Sequence, residues 1–463
     1  MKTTTWAVLM AVAVTAVSFA CTSPALAQAG DETVAAETEY CGICEVKKSV
    51  AGALPGWFEF GLDLRNRVEY KTNATTLGAN GTEEGLLGRF RPRLWAYATP
   101  VENVQIGARL VWEFFVICKP EAADNTPSSD VTFDELFVKW TDVLGAPVEV
   151  TVGRQNMRLG DGWLVFEGTP LDGSRTTYFD AIRTTWAMVD QNMSLDAIFV
   201  ANTADTDSYI KPFNDNAVER LIAESDETGG ILWLTNTANE DLTWNGYFIY
   251  VHRDDPDSAD NMADLYTAGA RVAGNWGEQI QYRAEGAYQF GNKDGAQVRD
   301  AFGVNSRITY LVQDAMDTAL HAGYEYRSGD DNPAKNFDIL WGRYVQFSDL
   351  FAGNLETLEG LPAGAASNFH RFNVGAAAEP VEDVIVLLNY NLLLADENNL
   401  AGTAGFSDSG DVRGHLFSAQ VKMTHNEHAT SVITGEAFLP GNYYTDAAND
   451  VATFARYELM LVW

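Results

Sequence analysis

Phe58-Glu59-Phe60-Gly61-Leu62-Asp63-Leu64-Arg65-Asn66-Arg67-Val68-Glu69-Tyr70 is the stretch whose reading decides the fold. Phe58, Phe60, Leu62, Leu64, Val68 and Tyr70 share one parity, and Glu59, Asp63, Arg65, Arg67 and Glu69 share the other. Side chains on a strand alternate sides, so these 13 residues predict a strand with one apolar and one charged face. A strand in a soluble protein usually runs about five or six residues. A tilted strand that crosses a bilayer needs ~9–11.

The alternation recurs. Val104, Ile106, Ala108, Leu110, Trp112 and Phe114 alternate with Gln105, Gly107, Arg109 and Glu113. Ile280 to Phe290, Leu320 to Arg327 and Arg456 to Trp463 repeat the pattern. The stretches at Gly230 to Thr235 and Thr177 to Met188 are noisier, and Asp180 falls on the apolar parity. Connections alternate too. Thr99–Asn103, Gly274–Gly277, Pro380–Asp383 and His425–His428 are short. Lys71 to Leu86, Cys118 to Asp130, Leu159 to Arg175, Thr203 to Thr228, Ser328 to Asn368 and Asp396 to Asp411 are long. Short periplasmic turns and long extracellular loops are the arrangement of an outer-membrane barrel.

Walking this register gives about 18 strands over 57–463. The expected fold is therefore all-β, a transmembrane antiparallel up-and-down β-barrel. Two strand-like pieces within Ser328–Asn368 are read as a folded outer loop, because counting one would break the even parity of bacterial barrels. A soluble β-sandwich also alternates, but it buries its apolar face and rarely runs strands this long. The chain ends Tyr457-Glu458-Leu459-Met460-Leu461-Val462-Trp463. A closing alternating strand with a terminal aromatic looks like the signal read by the barrel-assembly machinery, which makes Trp463 a partner contact.

The N-terminus predicts a signal peptide over 1–27: Lys2, an apolar run from Trp6 to Ala20, and Ala25-Leu26-Ala27 before cleavage. The apolar run is shorter than the ~20 residues of a membrane anchor. Residues 28–56 form a periplasmic extension bearing Cys41-Gly42-Ile43-Cys44. No second Cys pair or His cluster accompanies it, so zinc is not expected. A local Cys41–Cys44 disulfide, or two thiols, is the reading, and Cys118 is left over.

The lumen follows from parity. Arg65, Arg67, Arg89, Arg91, Arg93, Arg109, Arg183, Arg271, Arg283, Arg307, Arg371 and Arg456 are predicted to line it, with Lys139, Arg327 and Lys422. Glu59, Asp63, Glu69, Glu113, Glu135, Glu149, Glu285, Glu325 and Glu458 share that side, 15 basic to 9 acidic. Arg89, Arg91 and Arg93 project from one strand. Guanidinium forks suit carboxylates, and basic rings pass anions, although the same arginines could brace the wall by pairing with lumen acids. The net charge of −33 sits largely in the loops and argues against nucleic acid as a partner. Asp254-Asp255-Pro256-Asp257 lacks the spacing of a calcium loop. Six histidines are present, without a Gly-x-Ser-x-Gly elbow or a His-Glu-x-x-His pair, so neither catalysis nor a cofactor is expected.

Gly153-Arg154-Gln155, then Gly160-Asp161-Gly162, then Phe179-Asp180 entering a strand, resemble the alginate export family of outer-membrane barrels. Tyr324-Glu325-Tyr326-Arg327-Ser328-Gly329-Asp330 and Phe438-Leu439-Pro440-Gly441 are similar to that family as well. The resemblance implies passive export of an anionic polysaccharide through an arginine-lined pore in outer-membrane lipid, served by a periplasmic export scaffold. It also implies that the glycines and Asp161 shape the loop after the fifth strand. A porin for small solutes or oligosaccharides, and a purely structural barrel, are the other readings. Inward folding of Ser328–Asn368 with Leu159–Arg175 as a constriction favours selectivity, and a complete plug favours the structural role.

Overall fold

The computed structural model describes residues 52, 54–78, 83–119, 131–166, 179–203, 226–254, 262–342, 347–360 and 366–463. The expected signal peptide, and the Cys41–Cys44 motif of the extension, lie outside the described residues.

A strand with one apolar face in lipid must have every backbone group paired, because lipid offers no hydrogen bonds. The chain meets that condition with a single antiparallel sheet. Its strands are β1 (Phe58–Thr72), β2 (Glu84–Val101), β3 (Val104–Trp112), β4 (Phe114–Lys119), β5 (Val131–Trp140), β6 (Val148–Gln155), β7 (Phe179–Met188), β8 (Met193–Asn202), β9 (Asp226–Asn239) and β10 (Leu242–Asp254). They continue as β11 (Ala263–Trp276), β12 (Ile280–Lys293), β13 (Ala296–Leu311), β14 (Ala319–Arg327), β15 (Phe369–Val381), β16 (Val384–Ala395), β17 (Val412–Asn426), β18 (Ala429–Pro440) and β19 (Ala452–Val462). β3 and β4 both pair with β2 and are separated only at Glu113, so they form one wall strand and the barrel has 18. β19 pairs with β1 from Asp63↔Val462 to Thr72↔Thr453, which closes the sheet and leaves no edge. Trp463 completes the seam: its N–H donates to Leu62 O at 2.9 Å and its carbonyl accepts from Leu62 N at 3.0 Å. Gly61 is required there, since a Cβ would stand 2.2 Å from the Trp95 ring and 2.5 Å from Trp463 O.

The outward parity is apolar. Leu94, Ile106, Val138, Val152, Ile182, Phe199, Leu232, Ile308 and Leu388 are exposed on it. Trp140, Trp186, Trp244, Trp276 and Tyr310 lie exposed beside the short turns, and Tyr266, Tyr288, Phe290 and Phe302 lie exposed toward the loop end. These are the two aromatic girdles of a membrane barrel.

The lumen is partly filled. Ser328–Asn368, expected as an outer loop, carries no strand among its described residues and packs inside the barrel. Its first part, with Met157–Phe166, forms one lobe: Leu159, Trp163, Leu164, Val165, Phe337, Leu340 and Trp341 pack on Phe179, Ile198, Val200, Ile231, Trp233, Ile249, Val251 and Leu265. Its second part forms another lobe: Leu350, Phe351 and Leu355 pack on Phe369, Leu393, Leu416, Phe438 and Phe454. The noisy alternation near Gly230 now has a cause. β8 to β10 are apolar on both faces because one faces lipid and the other faces the first lobe.

Candidate functional site

The first lobe is placed by the glycine-rich motif. Gly153 has φ +117°, and a Cβ there would stand 2.3 Å from Leu136 O, so only glycine fits. Arg154 follows, fully buried, with a bidentate pair to Asp180 (2.8 and 2.7 Å) and a bond from its guanidinium to Phe133 O (2.9 Å). Asp180 therefore stands on the outward parity because Arg154 stands beside it, opposite in register. Gln155 Nε2 donates to Gly153 O and Ala181 O, both at 3.1 Å.

Gly160 and Gly162 have φ +57° and +76° and turn the chain so that Asp161 enters the lumen. Asp161 accepts two bonds from Arg271 (2.9 and 3.0 Å) and pairs with Arg283 at 3.0 Å. Burial raises its carboxyl, but the two guanidiniums outweigh that and hold it below its ordinary value. Trp163 Nε1 donates to Glu325 at 3.0 Å, and its ring stacks on Phe337 at 5.5 Å.

Asp338 fastens the same lobe. It binds Arg253 through both oxygens (2.8 and 2.9 Å) and Lys293 at 3.0 Å. Those cations overcome burial and hold its carboxyl well below the ordinary range. Trp341, wholly buried, donates to Glu227 at 3.1 Å. The second lobe hangs on Glu436, which accepts from Ser348 Oγ (2.6 Å), Asp349 N (3.1 Å) and Leu350 N (2.7 Å). Arg456 binds Asp349 at 2.6 Å, and Arg413 binds Glu359 at 2.9 Å. Burial raises the Asp349 and Glu359 carboxyls despite those arginines.

Between the lobes and the wall of β12–β19 lies a cavity of about 380 Å³. Arg283, Arg307, Arg327, Arg371 and Arg456 border it, against Glu325, Asp349 and Glu436. Asn305, Asn373, Asn389, Asn391, Gln420, Ser306, Ser418 and Thr434 supply amides and hydroxyls, and Trp163 and Phe347 supply rings. Glu325 is held by Arg327 (2.8 Å) and Arg371 (2.9 Å). Arg371 also lies 4.5 Å from the centre of the Phe347 ring. Arg307 differs. It stands directly opposite Arg283 in the β12–β13 register, its buried Nε has no hydrogen-bond partner, and no carboxylate among the described residues pairs with it.

All twelve arginines named from parity share the inward side, but the structure divides them. Arg283, Arg307, Arg371 and Arg456 border this cavity. Arg65, Arg67, Arg89, Arg91, Arg93, Arg109, Arg183 and Arg271 do not, and most are tied to acids: Arg67 to Glu458, Arg89 to Glu69, Arg93 to Asp63, Arg109 to Asp134 and Glu135, Arg183 to Asp196. Two inward charges escape a parity count. Asp134 turns in at the register shift between Arg109 and Leu110, and Arg413 lies at the shift opposite Leu393 and Leu394. Asp196, Glu227, Arg253 and Glu436 lie in strands whose alternation alone would have found them. They bring the census closer to balance.

A family model described as Alginate export matches residues 56–458. A sequence comparison with curated proteins gives no match. Among solved structures, the fold is similar to outer-membrane porins. Acinetobacter baumannii OccAB2 aligns with a TM-score of 0.57 at 12% identity, covering 88% of this chain and 98% of that one. Pseudomonas aeruginosa OpdQ aligns with a TM-score of 0.54 at 11% identity, covering 88% and 97%. Pseudomonas aeruginosa OccK5 (OpdH) gives 0.54 at 13%, covering 88% and 98%.

Proposed function

The chain belongs to the alginate export family, and from that premise we propose that its lumenal cavity passes an anionic polysaccharide, passively and outward, by way of arginine side chains. That the protein is an outer-membrane channel follows from family and fold together. The observation that carries the finer reading is Arg307: a guanidinium facing the cavity, set opposite Arg283, without a carboxylate of its own among the described residues. Two adjacent guanidiniums repel, and an anion between them removes that cost. A uronate carboxylate fits their planar forks. The surrounding amides and hydroxyls offer partners for sugar hydroxyls, and the partly buried Phe347 offers a ring against which a pyranose can pack. Many weak, exchangeable contacts suit conduction, since a solute must leave as easily as it enters.

A cavity of about 380 Å³ also suits a second reading, a porin for small anionic solutes, because small-molecule sites start near ~300 Å³. Chain length of the permeant separates the two. Reversal potentials in planar bilayers test the anion preference, and block by oligouronates of increasing length tests the polymer. Anion preference that weakens in Arg307→Ser, with block that deepens with length, supports export of the polymer. Cation preference, or no conductance, sinks both readings. Recognition of the terminal Trp463 strand by the barrel-assembly machinery, and docking of a periplasmic scaffold, belong to the same proposal.

A further inference from the structure

The inward positions of five neighbouring strands fall in one row. Arg283 on β12 stands opposite Arg307 on β13, Arg307 opposite Gly323 on β14, Gly323 opposite Asn373 on β15, and Asn373 opposite Asn391 on β16. All five border the cavity. The chemistry changes along the row: two guanidiniums at one end, two amides at the other, and bare backbone between them. Gly323 is not there to turn the chain, since it lies within β14 and lacks the positive φ that demands glycine. A Cβ there would meet Ser306 O at 3.0 Å, and the next nearest atoms are Asn373 Oδ1 at 3.8 Å and Arg307 Cβ at 3.9 Å. What the glycine provides is room on the cavity wall. That gap lies one strand spacing from Arg307 and two from Asn391, about 5 and 10 Å.

The amides at the far end are oriented by their neighbours. Asn391 Oδ1 accepts from Arg371 Nη1 and from Asn373 Nδ2, both at 3.0 Å. Two donors on one atom identify it as the oxygen and leave the NH2 group over. That Nδ2 is buried and has no hydrogen-bond partner among the described residues. Asn389, two residues earlier on the same face of β16, repeats the arrangement. Its Oδ1 meets His321 Nε2 at 2.9 Å and Asn373 Nδ2 at 3.5 Å, while its Nδ2 donates to nothing among the described residues. Asn389 is half-buried and borders the cavity. β16 therefore presents amide N–H groups whose acceptor halves are already engaged. Guanidiniums have no acceptor at all, so the other end of the row also only donates. An occupant that satisfies the row brings oxygen acceptors to both ends. A simple inorganic anion satisfies the guanidiniums but does not span to the amides.

We infer that this row is a subsite for one sugar-acid unit: its carboxylate at Arg307 beside Arg283, its ring over the gap at Gly323, and its ring or linkage oxygens at Asn389 and Asn391. Gly323 and the two asparagines are then specificity-determining residues, which tell a sugar acid from a plain carboxylate. The inference rests on the anion reading and adds what the neutral half of the cavity selects.

Block of the chloride current in planar bilayers tests it, with glucuronate and cyclohexanecarboxylate as probes on the full-length mature channel. The two acids share charge and ring size, and only glucuronate carries oxygens on its ring. Glucuronate is expected to block wild type at about tenfold lower concentration, the worth of one good hydrogen bond. Asn389→Leu is expected to erase that preference by weakening block by glucuronate alone. Gly323→Val removes no side-chain hydrogen bond and fills the gap, so it is expected to weaken block by both acids. Equal block of wild type by the two acids overturns the subsite and leaves the anion reading standing. A preference kept in both Asn389→Leu and Asn391→Leu, or wild-type block of Gly323→Val, overturns it too. Cation selectivity, or block by neither acid, sinks the anion reading and the subsite with it. The comparison of probes on wild type stands even where a variant fails to fold.

Discussion

Asp338→Asn isolates what holds the first lobe inside the barrel. The substitution keeps the side chain's size and removes its charge. Arg253, 5% exposed, loses its 2.8 Å bond to Oδ2 and faces an amide NH2 there, Lys293 loses its 3.0 Å pair to the same atom, and only the 2.9 Å bond to Oδ1 keeps a neutral acceptor. Removing one partner of a buried pair costs about 3–5 kcal/mol. Arg253 keeps a contact to Glu227 at 3.3 Å, so the lower end applies. About 3 kcal/mol is roughly a 150-fold shift toward the undocked lobe. The wall itself is untouched, because none of these bonds belongs to the backbone ladder. Planar-bilayer recording is expected to show frequent excursions to larger conductance, and limited proteolysis to cut 328–342 faster, with the barrel still folded by heat-modifiable gel mobility. A double-mutant cycle with Arg253→Gln is expected to give a coupling well above the ~0.5 kcal/mol within which independent sites add. Wild-type noise, unchanged proteolysis and additive effects together would refute the view that this ion pair docks the lobe.

Gly153→Ala is expected to reduce folded yield, since its Cβ meets Leu136 O at 2.3 Å in a backbone conformation that costs side-chain-bearing residues about 1–3 kcal/mol; gel mobility after refolding reads it. Acidification has opposite signs at the two lobes. Asp161 titrates below its ordinary 3.8, so its contribution is complete above that value and is lost only as pH falls through the lower folded value. Asp349 titrates above 3.8, so its charged form opposes docking at neutral pH, and the second lobe tightens as pH falls through the raised value. Lowering pH from neutral through that raised value is expected to quieten channel noise, and Asp349→Asn to lessen that pH dependence; noise that rises instead would contradict the sign. Trp463→Ala keeps both backbone bonds to Leu62 and removes only the ring. Slower assembly in cells with unchanged thermal stability in detergent assigns the ring to recognition, whereas lowered stability assigns it to packing.

Sequence and structure divided the work along a physical line. Period two is a property of each strand alone, so the apolar and charged faces of β1, β3, β12 and β19 were legible residue by residue. The parity of the arginines came with it. The motif around Gly153 and Gly160 marked where the backbone must turn, because positive φ leaves its trace as glycine. The inward folding of Ser328–Asn368 was not legible in that way. Its signal was present, as Phe337, Leu340, Trp341, Leu350 and Phe351 are too apolar for a solvated loop, but a loop has no period to say which side it takes. The same holds for Asp338 and Glu436, ordinary acids until Arg253 and the Ser348–Leu350 amides are brought to them across more than 80 positions. Which arginine braces the wall and which faces the cavity depends on the nearest carboxylate in space. Arg93 finds Asp63 on the neighbouring strand, while Arg307 finds only another guanidinium and a glycine opposite, Arg283 on one side and Gly323 on the other. The sequence by itself determined a closed wall with a charged interior, because alternation and strand length are local. Only the tertiary structure decided how that interior is filled, because register and inward packing join residues that the chain keeps far apart.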